Sequence, residues 1–427
     1  MNLTKYQTDL RCEQAMDRIQ DGVYFRSRQT PLPHFSILFL SVHAGVSSES
    51  VRYGMQEIWQ MLQSLRKGVI ADLPGQKTPT GDLSVLVGYG RSLFDSVVDA
   101  NLKPSELVRF RKPSPGGGGA ITLGSGISYS TDTTENIADA DIALQFIGKT
   151  NLSVERAIVE TWKTIEKLNS EPRGKLFDIR GSYGGFGRDD RRSWIDFFDG
   201  TANLRSNERL SAIEIKERGQ NSPDQWKENG CYLCYIRLQV NLKAWQALSR
   251  NEQEMLVGRD KLTGCGLVAE DAAEGVRPVT GCPVTSGGNV EDRNNEAFRN
   301  APRPAGTRTL RQAHIHRANQ GRANTADPES RLVFRQGYEF FDGFFPDGSP
   351  RLGLNFVSFQ DTPERILGML KLRDWLGGVN FGGDETAQPP GMASLLTATA
   401  AGFFLAPPRD PFDELPGGQI FGDQVVG

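Results

Sequence analysis

Two stretches decide the fold: Asp141–Leu168, DIALQFIGKTNLSVERAIVETWKTIEKL, and Arg351–Leu376, RLGLNFVSFQDTPERILGMLKLRDWL. Each begins with residues alternating at strand spacing and passes through a short polar turn. Each then continues with apolar residues three and four apart, the spacing of an amphipathic helix. In the second stretch Asp361 or Thr362 can cap the helix, and Pro363 suits its first turn. One such unit in each half reads as an internal duplication. It predicts two similar α+β halves, each an antiparallel sheet with helices on one face. Outward from the first unit, GVYFRS from Gly22 and HFSILFLSV from His34 read as strands. Ser47–Lys67 reads as a helix that buries Val51, Met55, Ile58, Trp59, Leu62 and Leu65. The chain divides near residue 190 into an N-terminal domain over 1–190 and a C-terminal domain over 191–406. The Pro/Gly-punctuated remainder, 407–427, is expected to be an extended tail able to dock on a partner.

Composition sets outer limits. With 427 residues, 38% hydrophobic and 24% charged, the chain can bury two cores and resembles ordinary soluble proteins. A net charge of −3, with both signs interleaved, gives no field to hold nucleic acid or an anionic membrane, so small-molecule chemistry is expected. No stretch reaches the roughly 18 apolar residues of a membrane helix. The opening MNLTKYQTDLRCEQ has neither the apolar core nor the twin arginines of an export signal, so the expected location is cytoplasmic. Five cysteines, an odd number, argue against a full disulfide framework. Cys231 and Cys234 form a CxxC, but in the alternating run CYLCYIRLQV they fall on opposite faces of a strand. That disfavours a zinc or thiol-redox centre.

Two segments read as loops: Lys112–Gly119, KPSPGGGG, and the longer Gly264–Arg331, rich in Gly, Pro, Asn, Arg and Thr. Long loops in compact domains are often functional, and this one carries His314 and His316, two of the four histidines.

Four further segments carry chemistry: WIDFFDGTANLR (Trp194–Arg205), AHIHRAN (Ala313–Asn319), SRLVFRQGYEF (Ser330–Phe340) and YIRLQVNLKAWQALSRNEQEMLVGRDKLTG (Tyr235–Gly264). Singly they are unremarkable. An Asp-Gly pair usually makes a turn, a strand arginine an ion pair and a loop histidine a hydrogen bond. Together, in this order, they resemble the dye-decolorizing (DyP-type) peroxidase family over most of the chain from Asp141 to about Gly382. The resemblance implies two ferredoxin-like halves in an arrangement like a dimeric α+β barrel. It also implies one haem b per chain in the C-terminal half, hydrogen peroxide as oxidant, and one-electron oxidation of a dye, phenol or other aromatic reductant. Carried over position by position, His314 is the axial iron ligand, Asp199 the acid–base group on the opposite side and Arg335 the cation that stabilises departing oxygen. Arg317 and Arg322 suit the haem propionates. Asp384 or Glu385 would accept from the second nitrogen of His314. Trp375 and Tyr338 are oxidisable and could relay electrons, although packing is the plainer reading of both.

The sequence departs from the family pattern at three places. Asp196 stands where GxxDG has its first glycine, His316 where an arginine follows His-Ile, and Gln320 where a proline follows Asn319. Asp196 either alters the turn or adds a carboxylate near the site. A carboxylate acting alone as base, without a distal histidine, implies an acidic pH optimum. Non-catalytic haem binding or trafficking is the rival reading, and homo-oligomerisation through sheet faces is left open.

Overall fold

The computed structural model describes residues 17–25, 31–107, 110–113, 120–123, 127–128, 140–199, 203–204, 206–216, 225–269, 276–278, 313–318, 333–370, 395–412 and 414–422. In chain order the strands are β1 (His34–Val42), β2 (Ser84–Gly90), β3 (Phe110–Pro113), β4 (Ala120–Leu123), β5 (Ile127–Ser128), β6 (Ile142–Gly148), β7 (Phe177–Phe186), β8 (Cys231–Val240), β9 (Leu267–Ala269), β10 (Val276–Pro278), β11 (Phe334–Phe344), β12 (Pro350–Gln360) and β13 (Leu396–Ala406). The principal helices are α1 (Ser48–Arg66), α2 (Asn151–Asn169), α3 (Ser206–Ile213), α4 (Arg250–Val257), α5 (His314–Ala318) and α6 (Glu364–Leu370).

Runs such as ILFL and IALQFI are apolar on both strand faces, so both faces must be covered. A closed barrel flanked by helices does this. Eight strands form it in the order β1-β6-β2-β13-β8-β12-β11-β7, while β3–β5 and β9–β10 make two small separate sheets. Numbering the four barrel strands of each half from first to fourth gives fourth-first-third-second for both β7-β1-β6-β2 and β13-β8-β12-β11. The repeated order is the duplication announced by the two opening stretches, whose strands β6 and β12 are each the third of their set. This is the expected α+β architecture of two ferredoxin-like halves with antiparallel sheets.

Successive strand residues separate into two cores. Phe35, Ile37 and Phe39 join Leu86, Ala143, Tyr183, Tyr235, Tyr338, Val357 and Phe404 in one cluster, which draws on all eight barrel strands and therefore fills the lumen. Leu38 and Leu40 belong to the other cluster, with the buried faces of α1 and α2. The expected face of α1 is the buried one, from Val51 to Leu65, and Ser47 caps its start by accepting from the Ser50 N–H. At α6 the capping alternatives separate: the Thr362 hydroxyl accepts from the Glu364 N–H, while Asp361 is held by Arg365 at 2.6 Å. Cys231 lies in the lumen cluster and Cys234 in the outer one, both free and both with thiols pushed up by burial. Cys265 is disulfide-bonded. Among the described residues no helix is long and apolar enough to cross a membrane.

Two expectations require correction. Residues 22–25 of GVYFRS form no strand. Val23 and Tyr24, with Ile19, instead sink into the lumen cluster, and the Gln336 amide donates to the Gly22 carbonyl at 2.9 Å. Their β-like composition reflects burial rather than pairing. The segment after β13 is not extended as far as Gly422. Leu415, Ile420 and Phe421 are buried, Tyr89 Oη donates to the Pro416 carbonyl at 2.8 Å, and Ser48 Oγ donates to the Phe421 carbonyl at 3.2 Å. Scattered apolar residues between prolines give no period, so sequence alone hid this strap.

Candidate active site

The halves of the barrel meet at two seams. At one of them β7 and β11 are joined by a single pair, Phe186 with Glu339. Alternation places Arg335, Gly337 and Glu339 on one face of β11, opposite to the lumen-facing Phe334 and Tyr338. Arg188, two residues beyond the end of β7, reaches back across that face. Its Nη1 donates to Glu339 Oε1 and its Nη2 to Asp199 Oδ2, each at 2.5 Å. The pair lies flat on the strand because position 337 is glycine. A Cβ there would come within 3.2 Å of both Arg188 Nη2 and Asp199 Oδ2.

The carboxylate of Asp199 is delivered by a tight turn. Arg192 and Phe198 bridge, and the Asp199 N–H donates to the Arg191 carbonyl at 3.0 Å. Asp196, at the position of the family's first glycine, has φ 65°, the left-handed conformation that glycine adopts freely and aspartate tolerates. The substitution therefore preserves the backbone. Its side chain is 70% exposed and pairs with Lys261 at 3.2 Å, so it is not a second carboxylate of the Asp199 group. Arg192 fixes the turn further, donating to the carbonyls of Asp196, Lys261 and Leu262 and stacking on Phe198. Beyond the turn, Asn203 clasps the Arg335 backbone in both directions: its Nδ2 donates to the Arg335 carbonyl at 2.7 Å and its Oδ1 accepts from the Arg335 N–H at 3.2 Å. Asp199 and Arg335 are thus brought to one face by two independent links.

Electrostatics at the seam are lopsided. The Glu339 side chain is 3% exposed and that of Asp199 32%. Burial pushes the Glu339 carboxyl up to about 7; Arg188 opposes this, the negative charge of Asp199 adds to it, and the Trp194 backbone N–H opposes it. Burial also works against the charge on Arg188, but its two carboxylates more than compensate and hold it above the ordinary arginine range.

His314 opens α5, which packs on the end of α4. Gly258 closes α4 in the left-handed conformation, φ 84°, and a Cβ there would lie 2.8 Å from Ile315 and 2.9 Å from Ala313. The segment that follows runs on to the other group: Arg259 is buried and donates to the Gly264 carbonyl at 2.8 Å, and Gly264 sits against Phe198, the neighbour of Asp199. The histidine and the Asp199 turn are therefore fastened to opposite ends of one short loop. Nδ1 of His314 is buried. The side chains of His316 and Arg317, and Arg322, Trp375, Asp384 and Glu385 altogether, lie outside the described residues. Tyr338 is buried in the lumen and stacked on Phe35 at 4.6 Å, as a packing residue would be.

Sequence reasoning missed Arg188 and Glu339. Arg188 sits in the charged run GRDDRR, which reads as a solvated loop; Glu339 was visible as a lone acid in an aromatic strand, two places from Gly337 on the face of Arg335.

Comparisons with known proteins identify the family. The family description "Dyp-type peroxidase, C-terminal" matches residues 190–411, more than half of the chain, and includes the Asp199 turn, His314 and Arg335. The chain belongs to the Dyp-type peroxidase family, a class of oxidoreductases. Among curated relatives, deferrochelatases of Shigella flexneri and Escherichia coli are 24% and 25% identical over 327 residues, which cover 73% of this chain and 68% and 67% of theirs. Similar solved structures include ferric DtpA from Streptomyces lividans (TM-score 0.64, 19% identity, 94% of this chain and 96% of that one). The encapsulated DyP-type peroxidase from Mycobacterium smegmatis is also similar (TM-score 0.56, 17% identity, 93% and 97%). These likenesses are of fold.

Proposed function

We propose that the chain is a haem peroxidase that uses hydrogen peroxide to oxidise aromatic reductants by one-electron steps, with His314 as iron ligand and Asp199 and Arg335 acting on peroxide. The observation that supports this best is the double link that holds Asp199 beside the Arg335 strand. A storage or carrier protein has no need of such an arrangement. Haem suits the donor set. Among the described residues no three His, Cys, Asp or Glu converge, whereas a single imidazole suits an iron that brings its own ring of nitrogens. A solved relative, a Rhodococcus jostii DyP-type protein, is in complex with haem. The C-terminal half would hold most of the group, with Arg317 and Arg322 toward the propionates.

When bound, haem would supply the iron at which the O–O bond of peroxide breaks and would hold the two oxidising equivalents taken from peroxide until the reductant's electrons fill them one at a time. The protein supplies proton handling and charge. Asp199, held through Oδ2 by Arg188, is the carboxylate that would accept a proton from peroxide and pass it to the departing oxygen. Arg335 stabilises the negative charge that develops on that oxygen. Neutral His314 donates to the iron, and its buried Nδ1 suits a second hydrogen bond that fixes the ring.

The test is the absorption spectrum of haem-loaded protein, followed by a peroxide pulse. His314→Ala should lose or displace the Soret band. Asp199→Asn should keep the band and slow the peroxide-driven spectral change by roughly 100-fold or more. A wild type that takes up no haem would overturn the reading; one that takes up haem and ignores peroxide would establish carriage instead.

A further inference from the structure

We propose that Arg188 is the positioning residue of the Asp199 carboxylate, and that Glu339 behind it sets how much of the Arg188 charge Asp199 receives. The proposal rests on the reading of Asp199 as the acid–base group. Its geometry stands on the seam itself. One guanidinium, with 11% side-chain exposure, is shared between a buried carboxyl and a half-open one, with a glycine beneath so that all three fit.

A shared arginine divides its field. When Glu339 is neutral, Arg188 has one anionic partner, and its charge favours the ionised form of Asp199. When Glu339 is ionised, the same cation serves two anions that repel each other, and Asp199 becomes a stronger base. The other groups facing Glu339 leave Arg188 as the nearest control. The Trp194 backbone N–H donates to it, Leu354 of β12 and Phe186 of β7 stand beside it without charge, and Arg335 lies four residues away on its own strand. Because burial places the Glu339 carboxyl near 7, the division changes between mildly acidic and mildly alkaline conditions. Toward acid Arg188 acts on Asp199 alone and keeps the base ionised where an unaided carboxyl would begin to protonate.

Two readouts test this on the full chain. The first is the pH profile of the peroxide reaction in the haem-loaded protein. Arg188→Gln should raise the acid limb by about one unit, a loss of about tenfold in rate on that limb, since an adjacent opposite charge lowers a carboxyl by 1–3 units. Arg188→Lys should restore most of it. The second is an infrared titration of the protonated carboxyl band that disappears in Glu339→Gln. In Arg188→Gln its midpoint should move upward, because Arg188 opposes protonation there. A merely structural Arg188 would move neither titration. Should Arg188→Gln fail to fold, Glu339→Gln carries the test, since it should remove the inflection near neutral pH from the wild-type profile. Superimposable profiles and an unmoved infrared midpoint, with Asp199→Asn inactive toward peroxide, would overturn the proposal and leave the peroxidase reading intact. An active Asp199→Asn would overturn that reading first.

Discussion

Glu339 is a residue whose stability effect has a definite sign. Its carboxyl sits near 7 in the folded chain against about 4.5 when unfolded, so the folded state binds the proton more tightly. The associated stability is complete below pH 4.5 and is lost as pH rises through 7. Glu339→Gln keeps the neutral shape and does not titrate, so wild type should lose about 1–3 kcal/mol relative to the variant across that window. Urea unfolding at pH 4.5, 6 and 8 measures it, and a constant difference would contradict the shift. At this scale the sequence was read unevenly. Asp199, Arg335 and His314 were singled out by motif order, and Asp196 was visible as a departure. That Asp196 keeps a left-handed turn and faces Lys261 depends on a backbone angle and a distant lysine, which no local pattern encodes.

Among the elements, the short helix α5 depends most on another element's end. Gly258 serves twice, as the left-handed cap of α4 and as the flat surface on which Ala313 and Ile315 rest. Gly258→Ala should therefore cost about 1–2 kcal/mol through backbone strain and the clash, and should weaken haem retention through displacement of His314. Thermal melts and haem-transfer rates to a haem acceptor check the two effects, and retention equal to wild type would mean that α5 is placed by other contacts. The strands and helices of the barrel were largely legible, since both cores follow residue alternation. The failures share a cause. GVYFRS and the segment after β13 bury apolar residues without repeating hydrogen bonds, and periodicity cannot report burial that has no period.

For the whole molecule, closure of the barrel rests on its two seams. The second, between β2 and β13, is joined through Gly90 with Phe404 and Tyr89 with Leu405. The side chain of Gln20 reinforces it by donating to the Val87 and Pro407 carbonyls and accepting from the Val87 N–H, all at 2.9 Å. The strap then lies over Tyr89. Ending the chain at Pro407 would uncover what Leu415, Ile420 and Phe421 now cover, so it should lower stability by roughly 5 kcal/mol and move the urea midpoint accordingly. An unchanged midpoint would show the strap to be dispensable. Each seam joins the fourth strand of one half to the second strand of the other, so the repeated strand order makes the two equivalent. Equal in strand order, the two seams differ in what lies on them: Gln20 and the strap cover one, while Arg188 and the Asp199 turn lie on the other. The internal symmetry of the frame is thus broken by the segments added at its two joints.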